Sequence, residues 1–407
     1  MIGLLYDHLA SRVGSISINV HFGCEVTDID ILQRRLYIKQ KADLSDFHRF
    51  KTIDFADARV LACDGVNSII REACCDPSAR FAFLGSEESK EAAAESPATK
   101  SIVSSTQPCH KVFRVLFADD EDTNRSFDRE FQASCHSIYE GLYISCVLER
   151  GKHKWIMSIA IDASIDPTSF LVAKTATPEN LSSLRRFLFR SCPLLKHVLC
   201  EPQESSADPL AAYFDSPIYQ TSIVTVDRLN FGEILLLLGD AAHAVVPPVG
   251  EGLNASLEDA MMLYQAAQRR LQVAVCSGPH SCQEDTLFAE YNDLRIADTQ
   301  SLSRIAITNN ANFDQPERSA RLLLRLLQAI LRNVGLLRHT GEDYMYGSES
   351  KQRLPYGKIE KLMRFQQLIL MPLARMCTYP LYYLYVIMCR VFAAVLGTGA
   401  EASGKRT

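Results

Sequence analysis

Two short segments carry residue types whose spacing could do chemistry. The first runs Leu238, Gly239, Asp240, Ala241, Ala242, His243 and Ala244 into Val245, Val246, Pro247, Pro248, Val249, Gly250, Glu251, Gly252, Leu253 and Asn254. A Gly-Asp pair ending an apolar run, a stiff Pro-Pro turn and two further glycines would let backbone approach a ligand closely before a helix begins. Free amides at that helix start suit an anion or an electron-rich carbonyl. Asp240, at the tip, is placed to accept hydrogen bonds from ligand hydroxyls. Alone it would be a turn or cap residue; the whole run is what argues for binding. The second segment, Cys63, Asp64, Gly65, Val66, Asn67, Ser68, Ile69, Ile70 and Arg71, also passes through Asp-Gly into a helix. On its own it is weaker, because Ser68 could bond within the first turn and Arg71 could be a surface charge.

The elements that must position these segments follow from periodicity. Residues 4–12 read as helix and 15–22 as a half-buried strand. Residues 25–32 and 35–39 read as a hairpin, and 56–62 as a strand running straight into Asp64, with a helix from about Val66. The composition over 85–107 turns to Ser, Ala, Glu, Lys and Thr, which reads as a mobile surface insertion. Strands are expected over 111–118, 141–149 and 154–161, with a covering helix over 178–191 and extended chain over 213–226. The continuous apolar run over 233–238 suits a strand buried on both faces. Helices are expected over 253–270, 285–309 and 319–337. In the last, Arg318, Arg321, Arg325, Gln328 and Arg332 share a face, read as solvated, opposite leucines. Residues 365–399 are the most apolar stretch. The uncharged run 376–389 is shorter than the ~20 residues of a spanning helix, and Pro372 and Pro380 would bend or break it. Tyr379, Tyr382, Tyr383 and Tyr385 nevertheless crowd it as interfacial aromatics do. A packed core helix and an interfacial anchor both remain open, with the anchor favoured.

At 407 residues the chain has room for roughly two to three domains at about 150 residues each. With 47% hydrophobic and 22% charged residues, a mainly disordered, collagen-like or coiled-coil protein is excluded. A net charge of −5 supplies no chain-wide positive field for a nucleic-acid backbone, so no nucleic-acid partner is expected. The 13 cysteines are scattered without a CxxC spacing, which fits a reducing compartment. Cys276, His280 and Cys282 lack a second ligand pair, so no metal is expected. The first residues have no basic n-region and too short an apolar run for a signal peptide.

Taken together, the Asp-Gly segment and the Gly-Asp segment resemble those of the class A FAD-dependent aromatic monooxygenases. Within that family, GDAAHAVVPPVGEGLNASLEDA, with LRIADTQSLS at 294–303, looks most like the kynurenine-hydroxylating branch. The resemblance implies that Asp64, Gly65, Ser68 and Arg71 lie between the flavin pyrophosphate and the pyridine nucleotide. It implies that Gly239, Asp240, Pro247, Gly250, Gly252, Leu253 and Asn254 hold the ribityl chain and ring. The cofactors implied are FAD and, as reductant, NADPH; the substrate is a small aromatic molecule, to which O2 contributes one oxygen atom. The flavin would carry the chemistry, so no catalytic acid or base is assigned, and His243 is read as structural. Asn312 and Tyr356 fall near family positions that contact substrate, although each also reads as an ordinary helix-end or turn residue.

The fold expected is α/β. A Rossmann-like FAD-binding domain (residues 1–82 and 227–310) is interrupted by a mainly-β substrate domain (83–226) and followed by a helical C-terminal region (311–407). The resemblance places residues 365–399 at the mitochondrial outer membrane, with a cytoplasmic location as the alternative. It also implies a leading strand, a GxGxxG turn and a helix for the ADP half of FAD. No such unit is expected in this chain; Gly397, Gly399 and Gly404 follow no plausible strand. The chain therefore reads as truncated at its N-terminus. An active hydroxylase of kynurenine, a hydroxylase of another aromatic or quinone precursor, and an inert binding paralogue all remain open.

Overall fold

The computed structural model describes residues 20–31, 33–41, 48–56, 58–75, 101–120, 142–149, 152–162, 164–191, 208, 210–246, 250–277, 286–311, 314–337, 339–346 and 354–395. The helix expected over 4–12, most of the strand over 15–22, Pro247, Asn312, His280, Cys282 and the C-terminal glycines lie outside the described residues.

Two short parallel strands position the candidate site. Strand β4 (Val60–Ala62) pairs with β10 (Leu235–Leu237) in the register Leu235 to Val60 and Leu237 to Ala62, and β9 (Asn230–Phe231) adds antiparallel to β10. The three leucines of β10 are fully buried, which explains the uninterrupted apolar run. Because β4 and β10 run the same way, Asp64-Gly65 and Gly239-Asp240 emerge side by side at the carboxyl ends, where ligands bind in open α/β sheets. Leu238 N donates to Ala62 O at 3.0 Å as the last rung before the chains part. Helix α1 (Ile69–Cys75) buries Ile70, Ala73 and Cys74 in the same core, with Phe231, Phe288 and Tyr291.

A separate antiparallel sheet comprises β1 (Cys24–Asp30), β2 (Arg35–Lys41) and β3 (His48–Asp54). The hairpin was legible in sequence. Strand β3 was not, since Phe50 is exposed and the pairing with β2 rests on backbone bonds. The third sheet has the order β6 (Leu142–Glu149), β7 (Lys152–Asp162), β5 (Ser104–Asp120) and β8 (Ile218–Val226), all antiparallel. Here the insertion expected over 85–107 is corrected at its end. Ser104–Pro108 pair with Val226–Ser222, so these polar residues belong to a strand. Helix α2 (Pro178–Ser191) covers the sheet through Leu184 and Leu188, packed with Leu116, Met157, Ile159 and Ile161. The extended chain expected over 213–226 is also corrected: α3 (Ala211–Asp215) buries Tyr213 and Phe214 before β8 begins. Arg114 of β5 is buried against them. It donates to the carbonyls of Ser216, Leu171, Ala173 and Phe214, tying the loops to the sheet.

After the short α4 (Asp240–His243) the described structure is helical: α5 (Gly252–Ser277), α6 (Leu287–Asn310), α7 (Gln315–Asn333), α8 (Gly341–Tyr346) and α9 (Tyr356–Val395). Helix α9 continues unbroken through Pro372 and Pro380, where a bend or a break was expected. Packing on α7 holds it there. Met371 and Ala374 meet Ala320 and Leu324, and Glu317 receives Arg375 at 2.9 and 2.8 Å and the Tyr379 hydroxyl at 2.7 Å. The arginine face of α7 is only partly solvated: Arg321 approaches Glu317, Gln328 donates to Gln366, and Arg332 donates to Asp343. Leu322, Leu326 and Ile330 instead face outward. Among the described residues, no helix is long and apolar enough to cross a membrane.

Candidate functional site

The Asp-Gly segment folds around its own side chains. Ser68 Oγ donates to Asp64 Oδ1 at 2.6 Å and accepts from Arg71 N at 2.9 Å, which closes the first turn of α1. Gly65 takes φ +85° with open space where a Cβ would lie, so backbone conformation rather than crowding requires glycine. Arg71 is 3% exposed and turns inward. Its Nη2 donates to Val66 O at 2.7 Å and its Nη1 to Ala241 O at 2.8 Å. Burial lowers its pKa from the ordinary value, partly offset by Cys75, Asp64 and Glu72. Arg71, which reads as a surface charge from its own segment and as a cofactor contact through the resemblance, is a buried clamp between the two segments.

The Gly-Asp segment forms a cavity of about 420 Å³ lined by Asp240, Val245, Val246, Gly250, Gly252, Leu253 and Ser256. Gly239 adopts φ 58° and ψ −139°, and a Cβ there would sit 2.9 Å from Ser256 Oγ. The turn aims the exposed Asp240 carboxylate toward the start of α5; a Cβ on Gly252 would lie 3.7 Å from Asp240 Oδ1. Gly250 takes φ +68° in open space. An acceptor carboxylate and a glycine-lined helix N-terminus therefore adjoin on the wall of one cavity, which suits a ligand that offers both hydroxyl donors and an electron-rich group.

Beneath the turn lies a buried charge network. Asp259 of α5 accepts from Gly239 N at 2.9 Å, contacts His243 Nε2 at 2.6 Å and accepts from Arg295 Nε at 2.8 Å. Arg295 of α6 also donates to Ala255 O and approaches Glu258 at 3.0 Å. Burial pushes the Asp259 carboxyl up, but His243, Arg295 and the Gly239 amide outweigh it and hold the group below its usual range. Burial likewise lowers Arg295, but Asp259 and Glu258 outweigh it and raise the pKa. His243 is accordingly a structural partner beneath the turn.

Of the residues singled out in sequence, Asp240, Gly250, Gly252 and Leu253 line the cavity, while Gly239 shapes its turn and Asn254 is exposed in the first turn of α5. Asp64, Gly65, Ser68 and Arg71 form the adjoining segment. Tyr356 is not among the cavity-lining residues; it is 1% exposed at the start of α9, with its hydroxyl donating to Glu251 Oε2 at 2.7 Å. Asp259, Arg295 and Glu251 were not singled out, although all three stand in the quoted motif runs. The opposite charges were visible there, but the pairing of Asp259 with Arg295 across α5 and α6, and of Glu251 with Tyr356 of α9, was not.

A family model described as FAD binding domain matches residues 194–272, which include the Gly-Asp segment. Kynurenine 3-monooxygenase of Neurospora crassa is 30% identical over 104 residues, covering 25% of this chain and 20% of the relative. Kynurenine 3-monooxygenase of Flavobacterium psychrophilum is 23% identical over 202 residues, covering 49% and 40%. The chain thus spans well under half the length of these curated relatives. Among solved structures, p-nitrophenol 4-monooxygenase from Pseudomonas putida aligns with TM-score 0.42 and 14% identity over 92% of this chain and 70% of the other. Over these stretches the chain is similar to FAD-binding domains and to the kynurenine 3-monooxygenases.

Proposed function

We propose that the cavity at the Gly-Asp turn holds the ribityl chain and ring of FAD, and that the protein hydroxylates a small aromatic substrate with NADPH and O2, kynurenine being the favoured substrate. The observation that carries this reading is the exposed Asp240 carboxylate beside the glycine-lined start of α5, both on the wall of a cavity of about 420 Å³. These residues fit a flavin. A carboxylate accepts from ribityl hydroxyls, and Gly250 and Gly252 let the backbone come close to a flat ring. When bound, the flavin supplies the redox and oxygen-transfer chemistry. The chain's own part is to bind, orient and exclude water. Asp240 would accept from the hydroxyls, the amides at the start of α5 would help hold the ring, and Arg71 keeps the two segments in register with its donors engaged by protein carbonyls.

Membrane association through residues 365–399, at the mitochondrial outer membrane, belongs to the same proposal. Its support is the outward face of α9, where Leu368, Met376, Leu381 and Tyr385 are exposed. Flotation with anionic liposomes tests it; protein left entirely at the bottom of the gradient counts against it.

The central experiment is reconstitution of the purified chain with FAD, followed by its visible spectrum and NADPH oxidation with and without kynurenine. Flavin absorbance that stays with the protein and kynurenine-stimulated oxidation are expected. Stimulation by another aromatic but not by kynurenine moves the assignment to another hydroxylase of the family. A protein that cannot retain FAD is an inert binding paralogue.

A further inference from the structure

Glu251 is a buried carboxylate in an unusual place. It stands between Gly250 and Gly252, both of which line the cavity, yet it is 3% exposed and points away toward α9. A carboxylate removed from water needs hydrogen bonds to compensate its desolvation, and the Tyr356 hydroxyl supplies one at 2.7 Å. Glu251 O also accepts from Ala255 N at 2.8 Å, so the residue anchors the first turn of α5 at the same time.

The other end of this contact is equally fixed. The Tyr356 ring packs with Val246, Ala255, Leu302, Ile305 and Ile359, and the Arg295 guanidinium lies 5.9 Å from its centroid. The next residue, Gly357, donates its amide to Asp298 Oδ1 of α6 at 2.9 Å. One turn on, Glu360 receives both Nε and Nη2 of Arg304 at 2.8 Å. The start of α9 is therefore held to α6 by polar bonds, and the Tyr356 hydroxyl carries that constraint to the cavity rim. The rim needs it, since flanking glycines leave the backbone wide conformational freedom and a loop ordered only on binding loses affinity to that ordering.

We propose that Tyr356 is a positioning residue: acting through Glu251, it fixes the Gly250–Gly252 wall of the cavity, so that the C-terminal helix sets the affinity of the flavin site. The proposal rests on the flavin reading of that cavity, and it assigns Tyr356 no contact with substrate.

The test uses the full chain, with FAD as the probe, in Tyr356→Phe, Glu251→Met and the double variant. Phe preserves the packed ring and removes only the hydroxyl. Loss of one hydrogen bond to a charged group is expected to weaken FAD binding about tenfold by flavin fluorescence titration. Because Tyr356 acts through Glu251, adding Tyr356→Phe to Glu251→Met should weaken binding no further. Independent, multiplying effects overturn the proposal, as does unchanged affinity in Tyr356→Phe. Amide hydrogen exchange of the FAD-free proteins gives a second readout that survives failure of the flavin reading. In Tyr356→Phe, exchange at residues 252–256 should rise at least about tenfold while Leu235–Leu237 stay protected. Exchange rising uniformly over the chain, or not at all, overturns the proposal whether or not FAD binds.

Discussion

Replacing Asp259 by Asn asks whether the Gly-Asp turn is held by charge or by shape alone. Asp259 is 1% exposed and meets Gly239 N, His243 Nε2 and Arg295 Nε at 2.9, 2.6 and 2.8 Å. Asn keeps the shape and one acceptor oxygen, but it strands the fully buried Arg295 with Glu258 at 3.0 Å and Asp298 at 3.7 Å as its remaining anions. Removing one partner of a buried pair costs about 3–5 kcal/mol, and the residual anions place this case at the lower end, about 3 kcal/mol. Urea unfolding followed by circular dichroism measures it. The double variant Asp259→Asn, Arg295→Gln removes the stranded charge and should recover about half of the loss. A double variant as unstable as the sum of the two singles would refute the electrostatic argument. The pH dependence has a definite sign. The folded carboxyl lies below its unfolded value near about 3.9, so its stabilisation is complete above that value and is lost as pH falls through the depressed folded pKa. The gap between wild type and Asp259→Asn should stay flat through neutral pH and close only in acid.

Three further substitutions separate backbone strain, clamping and surface pairing. Gly239→Ala combines a glycine-favouring backbone with a contact at 2.9 Å to Ser256 Oγ, whereas Gly65→Ala meets nothing within 4 Å. Thermal unfolding should show about 3 kcal/mol lost in the first and about 1–2 kcal/mol in the second, with Ser256→Ala relieving only part of the first. Arg71→Lys keeps the charge but not the geometry that reaches both Val66 O and Ala241 O. A loss of about 2 kcal/mol is expected, with faster amide exchange in both segments; exchange unchanged around Ala241 would show that the clamp is not needed. Arg375→Met removes the partner of Glu317 on α7, but Arg375 is half exposed, so less than about 1 kcal/mol should be lost in urea unfolding. Arg375 and Tyr379 help hold the Glu317 carboxyl below its usual range, so even that contribution should fade in acid.

What could be read from sequence divides along the range of the forces involved. Helix α2 runs over 178–191 as expected because its start is encoded locally: Pro178 opens it and Thr177 Oγ1 accepts from Asn180 N at 3.2 Å. Strand β10 was legible because burial on both faces demands an unbroken apolar run. By contrast, Ser104–Pro108 is held by pairing with the distant β8 and β3 by backbone pairing with its neighbour β2, and no apolar pattern in either segment announces it. The continuity of α9 through two prolines depends on contacts with α7, which a reading of local propensity could not weigh.

The candidate site shows the same division more sharply, because residue type alone did not separate exposed side chains from buried, protein-bonded ones. Arg71, His243 and Asp240 are all suggestive side chains beside glycines. Burial and engaged donors distinguish them. Arg71 spends its guanidinium on two protein carbonyls, and His243 spends Nε2 on Asp259. Asp240 remains exposed at the cavity. The framework residues are the costlier ones to place, since each is polar and buried and tolerates little loss of its partner. Gly239, Gly250 and Gly252 provide access without rigidity, and Asp259, Arg295 and Tyr356 supply buried polar anchors from α5, α6 and α9. A substitution in those helices should therefore disturb the cavity as strongly as one in the glycine-rich segment itself.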